Sequence, residues 1–439
     1  MKSPRSNAAP PRKAPGDLRL GIFFLWLLVL VPPLIWAPVA KESFRQPKLL
    51  AAEWLALASL ACLAWGLRRV ERVGPADLWR LPAARIVLPV LGVATLGLAF
   101  TRHPLHAREA LIDLWTGAAA LVGWSAALSS ERLARLLRGL LWPAFLLALI
   151  GIGQFHGVWQ PLRLAHLEEG SRLAITSLAG NPGDLAAFLV LPCLVAQDLL
   201  RRCAGGGWRS PAGLGAVLAL AVSVYALLLT QTLAAVAALL AGSLLLWGTR
   251  MPRRRVALLL AGGAVAAALL AAGVAPLRER VVFKWQEMAR GNWNSVLTGR
   301  FDGWRAAVWM FERHPLAGVG QGAYQAEFAP AKLALIDRGA IFFPGLTQGS
   351  AFDNAHNEVL EAAAEWGLPG LLALGWGLWV LLRALRRGAG TPEDQALAWA
   401  GTAALAVLSL VDFPFRVALV GFPALLFLSW VLRRAEEAA

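Results

Sequence analysis

Apolar stretches of about 18–20 residues recur along the whole chain, separated by short polar or basic connections. This pattern predicts membrane-crossing helices, because a bilayer core roughly 30 Å thick takes about 20 helical residues to span. The stretches fall at about 20–38, 49–67, 84–101, 110–128, 136–154, 184–200, 213–229, 231–248, 256–275, 357–382, 395–411 and 415–432, twelve in all. The close pair around Thr230 fits two full crossings or a single broken hairpin. Lys2, Arg5, Arg12, Lys13 and Arg19 precede the first apolar run as in a secretory leader. That run is too long for a leader and lacks a small-residue cleavage site, so it reads as an uncleaved first helix.

The charges between the spans orient them. With the N-terminus inside, the inner connections hold Arg68, Arg69, Arg72, Arg80 and Arg85, then Arg132, Arg135 and Arg138, then Arg201, Arg202 and Arg209. Arg250 and Arg253–Arg255, Arg383, Arg386 and Arg387, and finally Arg433 and Arg434 continue the series. Every inner connection is basic, the positive-inside pattern, which places both termini in the cytoplasm. Two outer loops are then long, 155–183 and 276–355, and the second is the one region able to form a sizeable extramembrane unit. The chain divides accordingly into nine helices over 1–275, a large outer loop over 276–355 and three helices over 356–439. In that loop GRFDGWRAAVWMFERHPLAGVG sets Trp304, Val308 and Phe311 opposite Arg305 and Glu312, as in an interfacial amphipathic helix ended by Pro315, Gly318, Gly320 and Gly322.

Composition agrees with this reading: 58% of the residues are hydrophobic and 16% charged. The net charge of +15 does not signal nucleic-acid binding, because the basic residues are dispersed between spans instead of forming one soluble basic face. Cys62, Cys193 and Cys203 have no paired spacing, so neither a disulfide framework nor a zinc site is expected.

Outer loops in this topology should be poor in arginine, yet Arg102, Arg108, Arg163, Arg172, Arg278, Arg280, Arg290, Arg300, Arg305, Arg313, Arg338 and Arg416 lie there. Each alone reads as a solvated loop charge; together they suit an anion, since the guanidinium fork matches phosphate oxygens. No DxD sequence occurs, so a glycosyl transfer here would neutralise a diphosphate leaving group with protein cations, metal-independently. His356, in DNAHNEVLEAAAEWGLPG, stands where the large loop meets the tenth span. Two readings stand for it: a satisfied interfacial residue, or a base able to take a proton near neutrality with Asn354 and Asn357 orienting it. Glu358, Glu361 and Glu365 follow on one helical stripe inside a span, where carboxylates face the bundle interior and pair with cations, structurally or catalytically. In SRLAITSLAGNPGDLA, Asn181-Pro182 makes a turn and Asp184 suits the first turn of a helix, whose N-terminus also favours an anion.

GNPGDLA, GRFDGWRAAVWMFERHPLAGVGQGAY, AHNEVLEAAAEWGLPGLL and VDFPFRVAL, in that order over 171 to about 420, resemble the O-antigen ligase and polymerase superfamily. The resemblance implies an all-α, GT-C-like integral protein of the bacterial inner membrane with a large periplasmic loop containing short helices. It implies an inverting glycosyltransferase that moves a glycan from undecaprenyl diphosphate to a hydroxyl of lipid A-core, another glycan or a protein. No cofactor is expected. The resemblance also implies His356 as the catalytic residue, Arg172, Arg300, Arg305 and Arg338 on the donor diphosphate, and Asn181, Asn357, Glu358 and Glu361 in support. The ten-residue gap from Arg172 to Gly183, repeated from Arg338 to Gly349, fits a polymerase, but 42 glycines in 439 residues produce such matches by chance. One departure is that Thr232-Leu233 stands where the family often has Ser-Arg, which leaves a catalytically dead relative in play. Ligase, polymerase, protein O-oligosaccharyltransferase and a flippase for lipid-linked glycans all remain open at this level.

Overall fold

The computed structural model describes residues 16–38, 40, 42–68, 79–159, 172–203, 207–248, 254, 258, 261–262, 272–343, 352–388 and 390–438. These residues are helical, with no strand among them. The first nine helices are α1 (Gly16–Leu30), α2 (Arg45–Arg68), α3 (Pro82–Gly97), α4 (Pro104–Ala127), α5 (Ser130–Gly139), α6 (Leu141–Phe155), α7 (Pro182–Arg202), α8 (Pro211–Leu229) and α9 (Leu233–Gly248). The segment that follows carries α10 (Ala275–Ala289), α11 (Trp293–Val296), α12 (Arg300–Arg313) and α13 (Tyr324–Ile336). The chain closes with α14 (Glu358–Arg387), α15 (Pro392–Val411) and α16 (Ala418–Glu437).

Eight helices, with α5 and α6 counted as one, are long and apolar enough to cross a membrane; 18–34, α3 and α9 are shorter apolar helices. All the expected spans coincide with these except 256–275, most of which lies outside the described residues. At Thr230 the chain turns through Gln231 at φ +56° into a separate helix. There α8 packs on α6 and α7, while α9 runs along α15. At 16 residues α9 is about 24 Å long, short of the bilayer core.

The bundle is built around α7, whose flanks are apolar all round, as a helix surrounded by neighbours requires. It packs against α8, α9, α15 and α16, and its first turn carries Asp184 to one end of the bundle. Asn181 fixes that end as the N-cap, its Oδ1 accepting from Gly183 N at 2.7 Å.

The amphipathic helix expected around 300–313 is present as α12, but its buried face differs from the expected one. Gly303, Ala306, Ala307 and Met310 are buried, whereas Trp304 and Phe311 are half-buried and Val308 is exposed. Small residues win because α12 lies against the chain leading into α14: a Cβ on Gly303 would stand 3.0 Å from the Ala355 carbonyl oxygen. Helix α14 is broken at Gly367 (φ 62°, ψ −155°). The glycine-rich stretch after α12 fills the break, with Val319 N donating to Ala364 O, Gly320 N to Glu365 O and Leu368 N to Pro315 O, at 2.7–2.9 Å. These bonds satisfy backbone groups that the broken helix would otherwise leave unpaired.

Candidate active site

Five parts of the chain meet at this end of the bundle: the starts of α2, α7 and α12 and the turns that lead into α14 and α16. His356 is set by the turn entering α14. Asn357 caps that helix, accepting from Val359 N (3.0 Å) and Leu360 N (2.9 Å), and its Nδ2 donates to Leu410 O at 2.9 Å. Trp304 Nε1 donates to the His356 carbonyl at 3.2 Å, tying α12 to the same turn. His356 itself takes φ +54°, a conformation costly for a side chain with a Cβ and held only by such surrounding bonds.

The His356 ring lies between Phe352 (centroids 5.2 Å apart) and Phe413 (4.7 Å). Its Nδ1 faces Asp412 Oδ1 at 3.4 Å, an ion-pair contact looser than a well-aligned hydrogen bond. Burial would push the Asp412 carboxyl up, but His356 and the charge of Arg300 outweigh it and hold the group below its ordinary value. Arg300 is positioned by Nε donating to Val411 O (2.7 Å) and Nη1 to Leu297 O (3.2 Å). Burial lowers its pKa against the opposing pull of Asp412, and a guanidinium remains protonated regardless.

Arg45 also approaches Phe413, its guanidinium carbon 5.6 Å from the ring centroid. It holds Asp184 in a two-pronged bridge, Nε to Oδ2 at 2.8 Å and Nη2 to Oδ1 at 3.0 Å. Asp184 lies within electrostatic reach of His356 and Asp412, which places the Arg45–Asp184 pair beside the His356–Asp412 pair. Beside these pairs, Arg416 Nη2 contacts Glu365 Oε2 (2.7 Å) and Glu361 Oε1 (3.1 Å), both of which are buried. Glu361 Oε2 accepts from Ala355 N at 2.8 Å, and Glu358 Oε1 accepts from Phe415 N at 3.1 Å. Burial works against the Arg416 charge, yet the three glutamates raise its pKa above the ordinary arginine value. The carboxylate stripe is therefore a scaffold that locks the His356 turn to the 412–416 turn.

The structure thus brings together His356, Asn357, Arg300, Glu358 and Glu361 of the residues singled out from sequence. Asn181 contributes through the start of α7. Arg172 opens a 3-10 turn, Arg172–Ala174, and its side chain lies outside the described residues. Arg305 points elsewhere: it is exposed, donates to Ile341 O at 3.3 Å and stands 3.9 Å from Asp302. Arg338 is exposed on the turn after α13. At the departure Thr232-Leu233, Thr232 is buried and Leu233 is 59% exposed.

Sequence reasoning missed Arg45, Asp412 and Arg45's partner Asp184 as parts of the site; Arg416 stood among the outer arginines, the expected cationic partners of the carboxylate stripe, but not among the site residues. A usable signal existed for Asp412, a carboxylate at a membrane-helix end two residues before a proline, where an unpaired charge is costly. Arg45 carried the same signal as an arginine at the N-terminal end of α2.

Fold and site together define a multi-pass helical membrane protein with a histidine–carboxylate pair among arginines at one end of its bundle. Residues 218–375 match the family model described as O-antigen ligase. The match takes in α8 to the middle of α14, including Arg300, His356, Glu358, Glu361 and Glu365, and leaves Arg45, Asp184, Asp412 and Arg416 outside it. No curated protein matches the chain.

Proposed function

We propose that the protein transfers a glycan from undecaprenyl diphosphate to an acceptor hydroxyl on the periplasmic face of the bacterial inner membrane. The observation that carries this reading is the His356–Asp412 pair beside Arg300 and Arg45, with His356 and Arg300 inside the segment that matches the O-antigen ligase model. With Nδ1 turned to Asp412, Nε2 is the nitrogen that faces substrate and accepts the acceptor proton. The acceptor oxygen forms a bond to the anomeric carbon from the face opposite the diphosphate, so the configuration inverts. The bond from that carbon to the diphosphate oxygen breaks, and the electron pair leaves with undecaprenyl diphosphate. Arg300 and Arg45, with Arg172 close in sequence to the start of α7, neutralise that leaving group, a role that needs no divalent cation.

Proteoliposomes holding the purified protein, a lipid-diphosphate glycan and a hydroxyl acceptor test this directly. The expected result is a new glycosidic bond together with free undecaprenyl diphosphate, unchanged by EDTA. Lipid-linked glycan that crosses the bilayer with no new bond would instead make the protein a flippase. Mass spectrometry of the product then sorts lipid A-core, glycan and protein acceptors, the difference between ligase, polymerase and O-oligosaccharyltransferase.

A further inference from the structure

The opposite end of the bundle holds a second constellation that the transfer reaction does not use. Helix α16 runs from the Arg416 turn to Glu437, 20 residues or about 30 Å away. There Glu437 Oε1 accepts from Ser130 N at 3.1 Å and fixes the start of α5. Between α1 and α5 lies a cavity of about 330 Å³ lined by Arg19, Arg132 and Arg135 above Ile22, Trp26 and Leu136. Helix α5 buries Leu133, Leu136 and Leu137 and turns its arginines outward, as a helix lying in a membrane interface does. The Trp26 ring packs over Gly139, where a Cβ would come within 2.4 Å of it.

Among the described residues, the arginines of this cavity make one ion pair. The acid near it is Glu131, 4.0 Å from Arg135, and both side chains are largely exposed, at 83% and 57%. Three guanidinium groups over an apolar floor ask for a ligand that is anionic at one end and hydrocarbon at the other. A soluble phosphate compound would satisfy the arginines and leave the half-buried Ile22 and Trp26 facing water. We propose that this cavity is a binding site for an anionic diacyl phospholipid, its headgroup phosphate on Arg19, Arg132 and Arg135 and its chain against the apolar floor. Basic residues at the cytoplasmic face attract such lipids from the inner leaflet, so occupancy would also seat α1 and α5 in the membrane.

Native mass spectrometry of the full-length protein, released from nanodiscs of mixed phosphatidylglycerol and phosphatidylcholine, tests the site. The wild type is expected to retain phosphatidylglycerol preferentially, with retention about fivefold weaker for each of Arg132→Gln and Arg135→Gln. Arg138→Gln, on the same helix but off the cavity lining, is expected to leave retention unchanged, and inorganic phosphate at matched concentration is expected not to displace the lipid. Equal retention by the wild type and an Arg132→Gln/Arg135→Gln variant, or an equal loss with Arg138→Gln, would overturn the proposal. Displacement by inorganic phosphate would do so too, by showing a simple phosphate site.

Discussion

Asp412 sits between His356 and Arg300, and its value follows from that position. Because His356 and Arg300 hold its carboxyl below the unfolded value of about 3.9, its stabilising contribution is fully present above that pH. The contribution is lost only as pH falls through the lower folded value. The difference in melting temperature between wild type and Asp412→Asn is therefore expected to shrink as pH falls below about pH 4. The same variant keeps the shape of the site but no longer fixes which nitrogen of His356 carries the proton, so transfer is expected to fall by about a hundredfold or more. Arg416→Gln acts differently, leaving Glu361 and Glu365 buried without their cation at a cost of about 3–5 kcal/mol, which is expected to appear as loss of folded protein in detergent. Of these residues His356 was legible, because the turn-and-cap sequence around it marks the end of a span. Asp412 was not, since its role exists only once the fold brings position 412 beside position 356.

Among the elements, the break in α14 shows what hydropathy can and cannot report. The apolar run at 357–382 located the helix, but GLPG within it is compatible with a straight membrane helix, where glycine and proline are common. The break comes from the backbone of 315–320 wedged against it, a contact between segments some fifty residues apart. Gly318 (φ +66°) would place a Cβ 2.2 Å from the Glu365 carbonyl, and Gly367 (φ +62°) 2.5 Å from the Pro315 carbonyl oxygen. Gly318→Ala and Gly367→Ala are each expected to cost about 1–3 kcal/mol in thermal unfolding and to lower transfer by displacing Glu361 and Glu365 from Arg416. The buried face of α12 was misread for a related reason. Periodicity ranks residues by size and polarity, whereas Gly303, Ala306 and Ala307 are chosen for close approach.

At the scale of the whole molecule, the arrangement separates a site end, where α2, α7, α12 and α14 begin, from a basic end marked by α5 and the close of α16. The spans were legible because lipid demands long apolar helices of any sequence that crosses it. The meeting of Arg45, Arg300, His356 and Asp412 was not, because packing order in a bundle leaves no periodic trace. If the arginine bias orients the chain, a cysteine at Arg338 is expected to react with an impermeant thiol reagent added outside intact spheroplasts, and one at Ala438 only after lysis. The most direct measurement is the transfer rate of His356→Ala in proteoliposomes, taken alongside its affinity for the lipid-diphosphate donor. The expected result is donor binding close to wild type, since the arginines are intact, with transfer lowered by about a hundredfold or more. Transfer by His356→Ala at the wild-type rate would contradict the assignment of His356 as the base and, with it, the site built around the His356–Asp412 pair.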